Sequence, residues 1–233
     1  PMTLLPGVYE SELERRDPLV NDQALVHGQD VVLDPGLKSP LDPPYRIHPG
    51  TVIVRAQASK RFVAAHDPAG QKNRPASVSA LQPADNTWAG QTVTVSQAPG
   101  LGVTVVLAQN TATNAGVVNR LSQDRDFSAS FVADEGPNGT VRIRTRAAGA
   151  DQHLHVTSSL DAAYGPDGVA GHGTDADYRV TIDRAVEVQT TDGKPAEALV
   201  PTLLAGHFKA DQLLHFTPES RVVLARRGSI LKE

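Results

Sequence analysis

LLAGHFKADQLL, residues 203–214, joins a leucine pair, a glycine, an aromatic residue, a short polar step and a second leucine pair. Gly206 permits a close backbone approach that a Cβ would obstruct. Phe208 supplies a large apolar surface to a chain in which aromatic residues make up only 4%. Leu213 and Leu214 would close the face beneath that ring. The stretch therefore predicts core architecture and not chemistry.

Composition limits the class of protein. The 233 residues, 39% of them hydrophobic, suffice for one large or two small domains. Without cysteine there is neither a disulfide framework nor a thiolate metal site, which suits a reducing cytoplasm. The formal charge of −4 comes from acidic and basic residues that are mixed along the chain, so we expect no nucleic-acid partner.

No run approaches the roughly 18 apolar residues of a membrane span, and no signal peptide is evident, so we expect a soluble, unexported protein without a membrane partner.

The N-terminal residues 1–48 are rich in proline and show no sustained period of 2 or 3.6. This pattern predicts an extended arm that orders on the surface of another molecule. The alternative is a loop-rich N-terminal strand that packs on its own domain. The apolar residues expected to bind that other surface are Leu4, Leu5, Val8, Tyr9, Leu19 and Leu25.

Residues 49–86 and 186–233 are both β-rich. GTVIVRAQASKRFVAA alternates apolar and polar positions around QASK and predicts a β-hairpin, followed by a linker-like stretch over residues 71–86. Near the C-terminus, ALVPTLLAG and RVVLARRGSIL are interpreted as strands, with one or two helical turns in KADQLLHF. The core residues expected from these two pieces are Val52, Val54, Phe62, Leu204, Gly206, Phe208, Leu213 and Leu214.

Residues 87–185 have a different organisation. QTVTVSQAPGLGVTVVLAQ predicts two strands around a turn, and Thr111 or Thr113 can cap a helix whose apolar positions recur every three to four residues. Three further period-two runs follow, so the order β-β-α-β-β-β indicates a compact α+β unit. The expected fold class is mainly β with an α+β insertion: an arm at 1–48, a β-rich domain split between 49–86 and 186–233, and an inserted domain at 87–185.

The outer pieces resemble the lambda-like head decoration family of tailed bacteriophages, the small proteins that cement a mature capsid. HPGTVIVRAQASKRFVAAHDP carries the likeness near the start, and EALVPTLLAGHF, DQLL and VVLARRGSIL carry it at the end. In that family a proline-rich arm precedes a β-hairpin, and the chain closes with a strand, a Gly-x-Phe step, a short helix and a last strand. The order of these features is the same here.

The middle, VTVVLAQNTATNAGVVNRLSQDRDFSASFVADEGPNGTV, is similar to an α+β module that recurs in phage structural proteins. Small decoration proteins lack such an insertion. The family resemblance implies a structural protein, not an enzyme, with no cofactor. It further implies a homotrimer bound to the major capsid protein on the outer surface of the virion, after assembly in the bacterial cytoplasm.

Candidate chemical sites are few, and no catalytic residue is assigned because the sequence has no nucleophile elbow, phosphate-binding loop or His-Glu-x-x-His motif. His153 and His155 share one strand face and can bind a transition metal. No third ligand is apparent nearby, so a solvated face is the default interpretation and no metal is expected. Asp175 and Asp177 lack the spacing of a calcium loop and indicate a turn.

Two further groups of residues bear on the class of function. Three arginines, Arg142, Arg144 and Arg146, lie on one strand face and suit either carboxylate or phosphate partners or a solvated sheet edge. The alternative function is a tail- or fibre-associated module whose inserted domain contacts a host surface or carbohydrate. Exposed aromatics in the middle of the chain would favour it, and those available are Trp88, Phe127, Phe131, Tyr164 and Tyr178.

Overall fold

A computed structural model describes residues 18–20, 25–41, 44–98, 101–109, 111–182, 185–188, 194 and 196–233. The described residues form two compact units: an outer unit within 1–72 and 176–233, and an inserted unit within 73–175. The strands are β1 Val26–His27, β2 Val31–Leu33, β3 Arg46–Ile47, β4 Val52–Arg55, β5 Phe62–Ala64, β6 Ser77–Ser79, β7 Thr92–Ala98, β8 Leu101–Val106, β9 Phe131–Glu135, β10 Val141–Thr145, β11 His153–Ser158, β12 Val169–His172, β13 Tyr178–Thr181, β14 Val186–Glu187, β15 Ala198–Val200, β16 Thr202–Ala205, β17 His207–Lys209 and β18 Ile230–Lys232. The α-helices are α1 Asn114–Gln123, α2 Arg125–Ser130, α3 Asp161–Tyr164 and α4 Pro218–Arg226.

The outer unit is built around a sheet of order β1-β16-β13-β4-β5-β2-β15. Its pairings are antiparallel except for β2 with β5, which is parallel. The predicted hairpin is present, since Val54 faces Val63 in the antiparallel pair β4–β5. Strands from the N-terminal and C-terminal pieces both contribute to this sheet, so neither piece contains the sheet by itself.

Both faces of this sheet are covered by apolar side chains. Val52 and Val54 contribute to one cluster, which also contains Phe208 and two residues of α4. Ile53 and Phe62 belong to a second cluster with Ile47 and its neighbours. Because consecutive strand residues point to opposite faces, a strand buried on both sides is continuously apolar, as the VIV of β4 is.

The described part of the predicted arm corrects one expectation. Residues 25–48 do not form an extended arm, because β1, β2 and β3 all lie within them and pair with strands from the other end of the chain. The alternative of a loop-rich strand segment packed on its own domain is the one found here. Hydrophobic burial explains the outcome, since Val31 and Leu33 both belong to the second core cluster.

The predicted strand over RVVLARRGSIL is also wrong in its first part, which forms α4. Thr217 caps this helix: its hydroxyl accepts from the backbone N–H of Ser220, and the Ser220 hydroxyl accepts from that of Thr217. Pro218 occupies the first turn, where its missing N–H costs nothing. Val223 and Leu224 are buried against the first cluster, and only β18 remains a strand.

The inserted unit contains two sheets, of order β6-β10-β9 and β12-β11-β7-β8. The expected β7–β8 hairpin is antiparallel, and Thr113 caps α1 by accepting from Gly116 N–H at 3.1 Å. Four elements escaped the sequence analysis: α2, α3, β6 and β12. Its core combines all three helices with both sheets. None of the helices in the described ranges is long and apolar enough to cross a membrane.

The inserted unit also begins and ends earlier than expected, at Asn73 and Asp175 instead of 87 and 185. Residues 73–86 have linker composition, yet β6 lies in them and pairs with β10. At the other boundary, β13 pairs with β4 and β16 and so belongs to the outer unit. A bridge between Arg74 and Thr174 brings the two ends of the inserted unit together. The run YRVTIDRAVEVQTT contains β13 and β14 in separate sheets, not one strand.

Candidate functional site

The GHFK step of the opening stretch forms a junction between the two ends of the chain, which we call the β17 junction (residues 18–20, 206–209 and 230–232). On one side β17 pairs in parallel with β18, with Phe208 opposite Leu231. On its other side, Val20 N–H donates to His207 O and Lys209 N–H donates to Pro18 O, both at 2.8 Å. Residues 18–20 are therefore held to β17 by backbone hydrogen bonds.

The absence of a side chain at Gly206 favours close packing at the junction. A Cβ on this residue would lie 3.1 Å from Leu25 Cδ2 and 3.2 Å from Phe208 Cζ, tighter than ordinary van der Waals contact. Phe208 is fully buried, and Leu19 forms an antiparallel bridge with it. The glycine and the aromatic ring thus pack the N-terminal segment against the core.

The predicted N-terminal contact residues divide into two groups. Leu4, Leu5, Val8 and Tyr9 lie outside the described residues. Leu19 and Leu25 are described, and instead of being left free for another molecule both pack against the first core cluster. Their apolar surface contacts the outer unit itself.

The predicted core residues are buried with one exception. The described positions Val52, Val54, Phe62, Gly206, Phe208, Leu213 and Leu214 are all buried. Leu204 is half-buried, and its neighbour Leu203, fully buried opposite Val180, is the core residue of that strand. The prediction placed the wrong leucine of this pair in the core. Because successive side chains of a strand point to opposite faces, only one of two adjacent leucines can face the core.

An exposed apolar pair lies on the edge of the outer sheet and was not anticipated from the sequence. Leu199 on the edge strand β15 is 61% exposed and stands directly opposite Val32 on β2, which is 37% exposed. Edge strands that offer apolar side chains and free backbone groups are places where another chain can add. The pair therefore forms an exposed apolar surface on an edge strand, which is a feature typical of protein interfaces.

The arginine strand face carries less free charge than the sequence indicated. Arg142 Nε donates to Asp134 Oδ1 at 2.7 Å, and Arg144 Nε lies 3.0 Å from Asp134 Oδ2. The hydrogen bond from Arg142 lowers the pKa of Asp134, with the charge of Arg144 adding to it and partial burial opposing it. Arg146 donates to Ser128 O at 2.6 Å. One carboxylate thus holds two of the three guanidinium groups.

The two aspartates considered for calcium lie in different units. Asp175 belongs to the inserted unit and accepts from the backbone N–H of Ala150 at 3.0 Å. Asp177 belongs to the outer unit and forms a two-pronged pair with Arg179, with contacts of 3.1 and 3.0 Å. A carboxylate whose two oxygens are both held by one guanidinium is a poor starting point for a cation site.

The aromatic residues that would have favoured carbohydrate binding are buried in the cores. The exposed fraction of each of these five side chains is at most 3%, and the positions are Trp88, Phe127, Phe131, Tyr164 and Tyr178. Trp88 packs edge-on against the ring of Tyr164, with centroids 6.0 Å apart. None of these five rings can stack on a sugar in this conformation.

The histidine face of the inserted unit has a member that the sequence analysis missed. His153 and His155 lie on the exposed face of β11, as alternation predicts, and β12 places His172 directly opposite His153. The Nδ1 atoms of His153 and His172 are 2.8 Å apart. These histidines line a shallow pocket of ≈ 250 Å³ together with Ser96 and Gln97 of β7. Among the described residues, no group of three or more His, Asp or Glu side chains could hold a metal.

A second pair of histidines lies in the outer unit. The rings of His66 and His215 are 4.5 Å apart, and His215 Nε2 donates to Lys38 O at 3.0 Å. Burial lowers the pKa of His215, and the neighbouring His66 lowers it further. His215 also has a φ of 58°, in the left-handed region that few residues adopt.

No family model and no curated protein matches the chain. Among solved structures, the D2-D3 domains of the flagellar cap protein FliD from Serratia marcescens match with a TM-score of 0.36 and 9% identity, over 76% of this chain and 92% of that one. The FliD D2-D3 domains from Escherichia coli match with a TM-score of 0.36 and 12% identity, over 75% of this chain and 97% of that one. TM-scores this low do not establish a shared fold or function.

Proposed function

We propose that this protein is a structural decoration protein that binds the outer surface of a tailed-phage capsid as a trimer and stabilises the expanded shell. The β17 junction is the observation that carries the proposal. The stretches that resemble the head decoration family all belong to the outer unit, and the C-terminal ones meet residues 18–20 at this junction. Residues 1–17, which carry Leu4, Leu5, Val8 and Tyr9, precede Pro18, whose backbone is hydrogen-bonded to β17.

The energetic argument is one of effective concentration. A single short segment binds a neighbouring surface weakly, because ordering it costs conformational entropy. Three copies around a local three-fold axis convert the second and third contacts into intramolecular ones, which raises the avidity without any new contact. Proline lowers the entropy that the free segment loses when it orders. The partners in this proposal are the major capsid protein and two further copies of this chain.

Because Pro18 is hydrogen-bonded to the outer unit, deleting residues 1–17 alone is a more specific test than deleting the whole region 1–48. Deleting residues 1–48 would remove β1, β2 and β3 and so damage the outer sheet. Deleting residues 1–17 retains Pro18, Leu19 and Leu25, which pack on the outer unit. We expect this shortened chain to keep the wild-type circular dichroism spectrum and to lose most of its binding to expanded, undecorated capsids of the phage that encodes it.

A matched variant separates the N-terminal segment from the sheet edge. Leu199→Ser removes an exposed apolar group of the same outer unit and leaves the sequence of residues 1–17 unchanged. If the proposal is right, Leu199→Ser decorates the capsid at close to wild-type occupancy while the shortened chain does not. Unchanged occupancy of the shortened chain would contradict the role of the N-terminal segment, and loss of binding by Leu199→Ser alone would transfer that role to the edge of β15.

A further inference from the structure

The register of β11 and β12 brings two imidazoles together. Gly173 N–H donates to Gln152 O at 2.9 Å, which makes the intervening pair, His153 and His172, a non-hydrogen-bonded pair of the antiparallel ladder. Side chains of such pairs stand closer to each other than those of hydrogen-bonded pairs. On the opposite face of β11, Leu154 and Val156 are buried in the core of the inserted unit, so the strand that carries His153 is rigidly supported.

The two rings face each other through nitrogen atoms that are both able to bind a metal. At 2.8 Å, one Nδ1 carries a hydrogen and donates, while the other accepts through its lone pair. The interplanar angle of 83° and the centroid separation of 5.0 Å show that the rings are not stacked. Moving the shared hydrogen to Nε2 of its own ring, a change of tautomer with no net loss of a proton, would leave both Nδ1 atoms with a lone pair for the same metal centre.

From this geometry we propose that His153 and His172 form a two-histidine chelate for a divalent transition metal of tetragonal preference, copper(II) or nickel(II). Two imidazole nitrogens at bonds of about 2.0 Å and an angle of 90° lie about 2.8 Å apart. A tetrahedral centre with the same bonds needs a separation of about 3.3 Å. The observed separation of 2.8 Å matches the first arrangement more closely than the second.

The surroundings leave room for the rest of the coordination sphere. Both histidines are exposed and line the shallow pocket, so water can complete the remaining positions. Ser96, opposite His155 on β7, adds a hydroxyl to the same pocket. His155 is held apart from the pair because its Nε2 donates to Asp167 O at 3.1 Å. It therefore provides a matched control: a histidine on the same strand face that does not belong to the chelate.

The test uses the full chain, freed of metal with a chelator and titrated with copper(II) by calorimetry, with electron paramagnetic resonance of the bound ion. We expect a site with nitrogen hyperfine coupling and a tetragonal spectrum. His153→Gln and His172→Gln should each weaken the apparent affinity of that site about tenfold or more, because either change removes the chelate. His155→Gln should leave the affinity within about twofold.

Two outcomes would overturn the proposal. One is equal copper binding by the wild type and both pair variants, which would place the metal elsewhere on the chain. The other is a loss in His155→Gln as large as that in His172→Gln, which would mean that the ligand set is not the cross-strand pair. All three side chains are exposed, so a circular dichroism spectrum of each variant suffices to verify that the fold is retained.

Discussion

Replacing Phe208 by alanine removes the largest ring at the β17 junction. The side chain is fully buried, faces Leu231 across β17–β18 and contacts the position where Gly206 has no Cβ. A fully buried phenylalanine truncated to alanine costs about 3–5 kcal/mol, from lost transfer free energy and from the cavity that remains. With a urea m-value of about 2 kcal/mol/M, the midpoint for the outer unit should fall by roughly 1.5–2.5 M.

Phe216→Ala is the matched comparison for this change. Phe216 lies in the same unit and borders the same cluster, but it is only partly buried, so its truncation should cost less than half as much. Two probes follow the urea titration. Far-ultraviolet circular dichroism reports both units, whereas the only tryptophan, Trp88, lies in the core of the inserted unit and reports that unit by fluorescence.

For Phe208→Ala we expect the circular dichroism transition to shift and the fluorescence midpoint to stay in place. A loss below about 1 kcal/mol, or a loss equal to that of Phe216→Ala, would refute the argument from burial. A fluorescence midpoint that moves together with the circular dichroism would refute the assignment of separate cores to the two units, since both would then unfold as one cooperative body.

Three further outcomes follow from the same structure. The lowered pKa of His215 means that the folded protein binds fewer protons than the unfolded chain as the pH falls below about 6.5, so stability is lost on acidification. His215→Asn, which tolerates the positive φ, should lose less stability than the wild type between pH 7.5 and pH 5.5 in urea titrations. Asp134→Asn should lower the free energy of unfolding by about 0.5–1 kcal/mol at neutral pH. The difference from the wild type should disappear as the pH falls through the lowered pKa of Asp134, because the protonated carboxyl loses its stabilisation by Arg142. The isolated fragment 73–175 should fold, with a cooperative fluorescence transition of Trp88; a fragment without such a transition would contradict the unit boundaries.

The elements that could be predicted from the sequence are those whose signals are local. The β4–β5 and β7–β8 hairpins follow from apolar runs on either side of a short turn, and α1 follows from Thr113 and a helical apolar period. Helix α4 had local signals as well, since Thr217 and Pro218 mark a helix start. The β-branched pair in RVVL favoured a strand, but burial at Ser220, Val223 and Leu224 follows helical spacing and decides for the helix.

The features that could not be predicted depend on contacts between distant parts of the chain. Leu19 bridges to Phe208, and β2 pairs with β15; nothing near either segment in the sequence specifies its partner. Strand β12 carries no local strand signal, because its sequence VAGH lies in a glycine-rich stretch. A Cβ at Gly171 would lie 2.4 Å from Ser77 O, so the glycine permits strand packing there. Missing β12 also meant missing His172, the partner that makes His153 part of a pair.

The proposed function makes the source of this protein a tailed phage, and sedimentation of the full chain with expanded, undecorated capsids of that phage tests the proposal most directly. The measured quantity is the number of copies bound per capsid at saturation, compared with unexpanded precursor shells as the control. We expect the chain to pellet with expanded capsids only, and to saturate at about three copies for each local three-fold position. A chain that stays in the supernatant at every concentration, or that binds precursor and expanded shells equally, would contradict a role in decorating and stabilising the mature capsid.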